Sequence, residues 1–433
     1  MSIETQLRFG KEAIKQFSQA NQEPTWFLEK RLAAFEQAQT LALPVLEKTK
    51  IDKWNFDQFH PFQLEARVDN IEQLDEVVKE QLDDKDITSL LVQKNASVVY
   101  HKVDEELKSQ GVIFTDLATA LREHGELVKQ YIYSIVKEDE HRVAALHAAV
   151  VNGGVFLYVP KNVEVKMPLQ AIYEVAGEES LLAPHVVIVA EDNARVTYVD
   201  SFVSAEGTNM VANSVVEVHL GANAHVQVAS VRSFSTEVHD YAYRRALIGQ
   251  DANMEWILGE MNDGNTVANN TSILEGKGGN ADTKSITVGT AKQRQNLTSQ
   301  VQHIGTHTES NMLSKAVMTD EAVAILNGIT KIEKGAEKAN GVQAENILML
   351  SEKARGDANP ILLIDEDDVK AGHAASVGRV SEESLYYLMS RGIERKEAER
   401  LVIIGFLDPV VAEIPIEGVK SKLRQALERK LGR

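Results

Sequence analysis

The sequence predicts a mainly β protein: a β-helix or β-solenoid with helical regions at both ends. Three observations predict it. From Val155 onward, segments such as "VVIVAEDNARVTYVDSF" and "SVVEVHLGANAHVQVASV" alternate apolar and polar residues around short polar turns. The turns "KNVEV", "DNARV", "GANAHV", "GQDANM" and "GGNADT" resemble one another. Their asparagines, Asn162, Asn193, Asn223, Asn253 and Asn280, recur at intervals of 31, 30, 30 and 27 residues. No helical segment separates the strand pairs, which disfavours a Rossmann-type sheet, and no propeller-blade signature is present. A fixed period of this size fits stacked coils that bury one continuous apolar core.

The elements before the repeat read as helix. "TQLRFGKEAIKQFSQA" has apolar residues at helical spacing. In "EPTWFLEKRLAAFEQAQ", Pro24 suits a first turn, and Trp26, Phe27, Ala33, Ala34 and Phe35 form a stripe. "LPVLEKTKIDKWNFDQFHPFQ" carries Pro44 and Pro61 and reads as a linker across the surface, and "NIEQLDEVVKEQL" as a short helix. "SVVYHKV" is strand-like. "TDLATALREHGELVKQYI" and "EDEHRVAALHAAVV" are helix-like, opened by Asp116 and Glu138 and stopped by Gly153-Gly154.

The repeat continues less regularly through "HTESNMLSKAVM" and "SEKARGDANPILLI". Beyond His373 the pattern is helical again. Ser381 caps "SEESLYYLMSR", with Glu382 and Glu383 in its first turn, and Gly392 ends it. "ERKEAERLVIIGF" makes a second helix. "EGVKSKLRQALERKLGR" makes a third, with Val419, Leu423, Ala426, Leu427 and Leu431 on one stripe. The expected organisation is a mostly helical region over 1–150, the β-helix over 151–375 and a helical domain over 376–433.

Composition narrows the function. Among 433 residues, 64 acids against 46 bases leave a formal charge of −18, which disfavours nucleic acid and anionic membrane surfaces. Cysteine is absent, so this chain has neither disulfides nor thiolate chemistry. The charged start "MSIETQLRFGKEAIKQF" lacks a signal-peptide core, and runs such as "LVIIGFL" are too short to cross a bilayer. A cytoplasmic location is expected.

Catalytic signatures are missing. There is no P-loop and no G-x-S-x-G elbow, and "EGKGGN" reads as a solenoid turn. His303 and His307 lie four apart and would share a strand face, either as two metal ligands or as two exposed polar positions. His219 and His225 alternate with apolar neighbours and are expected to face solvent, while His141 and His147 share a helix face poorly. The "DEDD" run at Asp365–Asp368 is a solvated loop or a hard-cation site. His373, in "DDVKAGHAASVG", stands alone among small residues with nothing nearby to complete a site.

Three stretches carry a resemblance: "ALHAAVVNGGVFLYVPKNVEVKMPLQ", "RRALIGQDANMEW" and, above all, "DDVKAGHAASVGRVSEESLYYLMSRGIERKEAERLVIIGF". They resemble the SufB/SufD family of iron–sulfur cluster assembly proteins, from about Ala145 to the C-terminus. "PTWFLEKRLAAFE" and "IDKWNF" look like its SufD branch. The resemblance implies a right-handed parallel β-helix between helical regions. It implies pairing with SufB through the β-helix and its C-terminal edge, and an ABC-type ATPase, SufC, on the C-terminal helices. Candidate SufC contacts are Tyr386, Leu388, Arg391, Gly392, Ile393, Leu401 and Phe406.

No enzymatic activity of its own is implied, and no cofactor is held stably by the chain alone. A transient iron–sulfur cluster would form in the complex, with His373 near the SufB interface as a shared metal ligand. Ala371 stands where some relatives carry cysteine. A purely structural partner of SufB and SufC is the alternative, and a homodimer is possible in the absence of SufB. A polysaccharide-processing β-helix would need exposed aromatics and paired carboxylates, but aromatic residues make up only 6% of the chain.

Overall fold

The computed structural model describes residues 7–82, 88–412 and 417–431, with backbone alone at 419 and 431. The parts of the expected N-terminal helix and C-terminal stripe that fall at 1–6, Val419 and Leu431 lie outside the described residues or side chains.

The chain winds as a flattened β-solenoid of about eight turns, each passing once through each of two ten-stranded sheets. The first sheet runs from Ser97–Lys102 and Leu90–Lys94, through Leu169–Glu178 and six further strands, to Lys370–Arg379. The second runs from Ile113–Asp116 and Val155–Val159 to Arg355–Ile364. From Leu169 onward every pairing is parallel. Cα partners along the first sheet, Arg195, His225, Asn253, Asn280, Glu309, Asn340 and Lys370, stand 27 to 31 residues apart. Two early pairings are antiparallel, Leu90–Lys94 with Ser97–Lys102 and Ile113–Asp116 with Val155–Val159. Within the mostly helical region expected over 1–150, the strand read in "SVVYHKV" is present as Ser97–Lys102 and is joined by Leu90–Lys94 and Ile113–Asp116, and the last strand runs past residue 375.

The coils share a turn because each needs one left-handed residue. Asn162, Asn193, Asn223, Asp251, Gly278, His307 and Lys338 all have φ between 52° and 71°. That conformation aims each backbone N–H along the stack: Asn193 donates to Ala222, Asn223 to Gln250 and Asp251 to Lys277, at 2.8–2.9 Å. Asparagine tolerates the conformation because its short amide bonds locally. Asn223 Nδ2 donates to Asn193 Oδ1 at 2.8 Å, and Asn193 to Asn162 at 2.9 Å. The asparagine period is corrected on one point. Asn253 and Asn280 are not in this ladder; they open strands two positions later and pair with each other at 3.1 Å.

Helices cover both outer faces. The N-terminal helices Lys11–Ala20, Thr25–Thr40 and Arg142–Val150 pack on the second sheet, joining Phe27, Ala34 and Val143 to Val187, Val211 and Tyr241 in one buried cluster. The segment after Thr40 is no surface linker. Ile51, Trp54, Phe56 and Phe59 are buried in the same cluster, and Asn296 donates to the Glu47 carbonyl at 2.9 Å. "NIEQLDEVVKEQL" is a single turn, Ile71–Gln73, followed by Glu76–Lys79.

The C-terminal helices are Glu382–Ser390, Arg395–Ala412 and Glu417–Leu431. The last two lie on the first sheet, with Ile403, Leu407, Leu423 and Leu427 against Val199, Val231, Ile257 and Val288. The middle helix passes its expected end at Phe406 and continues through Pro409.

Candidate functional site

Lys370–Arg379 and Arg355–Ile364 are the outermost strands of the two sheets, so the solenoid ends in an open double edge. Each presents unpaired backbone groups, the arrangement that recruits a further strand or a partner. The edge is apolar in part: Ile361, Leu363, Ile364 and Val377 are exposed by 37–48%.

His373 lies on the last strand, opposite Gln343. Gln343 is fully buried, accepts from Thr330 Oγ1 at 2.7 Å and donates to the Gly328 carbonyl at 3.1 Å across the interior. Parallel partners share a face, so His373 sits on the interior-facing side of a coil with no coil beyond it. It is exposed, and among the described residues no hydrogen bond holds its ring. A Cβ on Gly372 would meet nothing within 4 Å. Small neighbours thus leave open ground around the imidazole. No three His, Asp or Glu side chains converge as a metal site among the described residues.

The seven candidate SufC contacts divide. Tyr386, Arg391, Gly392 and Leu401 are exposed, Tyr386 by 74%. Arg391 lies 5.2 Å from the Tyr387 ring and donates to its hydroxyl at 3.2 Å. Gly392 ends the helix at φ 86°. Leu388, Ile393 and Phe406 are half-buried, and Phe406 helps seat the helix: its carbonyl accepts from Lys315 Nζ at 2.6 Å and its ring lies 4.9 Å from the ammonium.

The other sequence candidates separate. His303 and His307 are not a pair: His303 is buried against Thr308 and Ser310 at 2.8 and 2.9 Å, and burial lowers its pKa to about 4. His307 is a turn residue. His219 does not face solvent; the N-terminal layer covers it, with Ser134 Oγ at 3.1 Å and the Tyr131 ring at 4.9 Å. His225 is half-buried beside Arg195. His141, not Glu138, caps its helix, accepting from the Ala144 N–H at 3.0 Å. Within "DEDD", the Gly335 and Asp367 N–H groups hold Glu366 at a pKa of about 2, and Lys338 pairs with Asp368, so the run is a tied turn.

Two buried sets escaped sequence reading. One is a chain from His147 through His185 to Glu217 beneath the helical layer. The other is polar residues inside the solenoid, including Glu345. His185 and Glu217 sit at outward-facing strand positions, read as solvated until the helices cover them, whereas Glu345 is in phase with the inward apolar positions, legible only once the coils are aligned.

Comparison with known proteins agrees with this architecture. Residues 15–171 match the family model "SufBD protein N-terminal region", and residues 173–406 match "SUF system FeS cluster assembly, SufBD core domain". The iron–sulfur cluster assembly protein SufD of Bacillus subtilis is 50% identical over 436 residues, covering 100% of both chains. SufBD family proteins of Staphylococcus saprophyticus and Staphylococcus haemolyticus are 29% and 30% identical, each covering 93% of this chain and 89% of the relative. The family models span the helical layer, the coils and the C-terminal helices as far as Phe406, and on them the chain belongs to the SufBD family of SUF-system iron–sulfur cluster assembly proteins.

Proposed function

We propose that this chain is a non-catalytic scaffold subunit of the SUF machinery, working in the cytoplasm. It pairs with SufB along the open end of the solenoid and carries the SufC ATPase on its C-terminal helices. His373 contributes an imidazole to the nascent cluster shared with SufB. The observation that supports this most is the position of His373: interior-facing, exposed, unbonded, and on a terminal strand whose partners must come from another chain. A cluster is the cargo of such a complex and is not held by this chain alone. Without SufB, the same edge is open to a second copy.

The test is anaerobic purification after co-expression with SufB and SufC. Wild type and His373→Ala should both yield the three-subunit complex, and only wild type should gain iron and sulfide. His373→Cys should recover part of the cluster, since a thiolate also ligates iron. Full cluster content in His373→Ala would leave a purely structural partner. Failure to co-purify with SufB or SufC would overturn the scaffold reading.

A further inference from the structure

The solenoid interior changes character along its length. In the early coils it is filled by Leu169, Tyr173, Val186, Ile188 and Phe202. From the Phe202 strand onward, strand register places Asp200, Ser230, Leu258, Ser285, Ser314 and Glu345 in one interior column, one residue per coil. Only Leu258 is apolar. Ser285 Oγ donates to Ser314 Oγ at 2.9 Å.

The opposite wall is polar as well. Arg244 and Asn270 are register neighbours there, and Arg244 pairs with Glu260 at 3.0 Å, both almost fully buried. Farther on, Gly328 faces Glu345: a Cβ on that glycine would lie 1.8 Å from Glu345 Oε1. The glycine is what gives the carboxyl its place.

This interior is incompletely bonded by protein alone. Both amide atoms of Asn270, Nε2 of Gln295 and Oε2 of Glu345 are buried with no hydrogen-bond partner among the described residues. Each such atom costs about 1–3 kcal/mol if left unmet. Buried water is the ordinary way to meet that need. Glu345 is 2% exposed and faces Ser314, Gly328 and the Ala375 position. On the surrounding strands the titratable groups at interior-facing register positions are His303, held by Thr308 and Ser310, His373, and Arg379, which reaches Glu352 at 3.8 Å; Glu309, Lys315, Lys331, Arg355, Asp357 and Lys370 lie on the other face.

We propose that the C-terminal half of the solenoid interior carries a water-bearing polar file that ends at Glu345, one strand in from the open edge, and that Glu345 exchanges its proton with the water of that file. Desolvation raises the Glu345 pKa to about 7, so both of its forms are populated near neutrality.

Infrared titration of the full chain tests the acid. Wild type should show a protonated-carboxyl band near neutral pH that disappears on alkalinisation. Glu345→Gln should lose that component, and Glu345→Asp should retain it at a shifted midpoint. A diffraction map should show ordered water beside Asn270 and Glu345. A dry interior, or identical titrations for wild type and Glu345→Gln, overturns the file.

Discussion

Glu217 shows how one residue ties two layers together. Its carboxylate accepts from the backbone N–H groups of Tyr133, Ile135 and Val136 at 2.5, 2.6 and 2.8 Å. His185 Nε2 lies 2.9 Å from it. His147 Nδ1 donates to the Asn213 carbonyl at 2.9 Å and its Nε2 lies 3.2 Å from His185 Nδ1, so a fully buried chain joins the helix to Glu217. Glu217→Gln removes the carboxylate and turns an amide N–H toward its donors. Breaking such a buried pair costs about 3–5 kcal/mol. Urea denaturation should show that loss, whereas the exposed His373→Ala should stay within about 0.5 kcal/mol of wild type.

At the scale of the element, the solenoid turn was legible and its covering was not. Inward positions alternate within each strand, so the sequence places Val218 and Val226 inside, and both are buried. The left-handed residue of each turn must be Asn, Asp, Gly or a strained alternative, which made the period visible. It misled at Asn253, where Asp251 takes the turn and the next asparagine opens a strand. Asn223, at φ 55°, tests the requirement. Asn223→Val should cost about 1–2 kcal/mol for the left-handed backbone, while Asn223→Gly should lose less than half of that. Thermal unfolding separates the two.

Outward positions were misread because their cover comes from elsewhere in the chain. His219 reads as solvent-facing until the Tyr131–Ser134 segment lies over it. Trp54 and Phe56 sit in a proline-flanked stretch with no periodicity to mark them as buried. The C-terminal helices present the reverse case. Their amphipathic stripe was legible, but it seals the first sheet, so deleting them would expose Val199, Val231 and Ile257. Point changes on the exposed side probe SufC without that damage. Tyr386→Ala combined with Leu401→Glu should reduce SufC capture at least tenfold and leave circular dichroism unchanged.

At the scale of the molecule, buried acids and buried histidines pull stability in opposite directions with pH. His141 and His303 are held near pKa 4 by desolvation, against an ordinary value of 6.5. Below pH 6.5 the unfolded chain binds protons that the folded chain refuses, so these groups make stability rise from about pH 4 to 6.5. Burial, reinforced by the Asp75 hydrogen bond, raises Glu174 to about 8, and burial raises Glu345 to about 7 and Asp200 to about 6. Above the ordinary carboxyl range the folded chain keeps protons that the unfolded chain has lost. These acids therefore make stability fall until each folded pKa is passed. The two trends oppose each other below pH 6.5. Above it the histidine contribution is exhausted, Asp200 has titrated, and only Glu174 and Glu345 still act. At about 1.4 kcal/mol per proton per pH unit, they remove about 2–3 kcal/mol between pH 6.5 and 8. Urea denaturation at the two pH values should show that fall. Glu174→Gln should abolish the larger part of it, because the amide has no proton to lose; an undiminished slope in that variant would mean that Glu174 is already ionised beside Lys94.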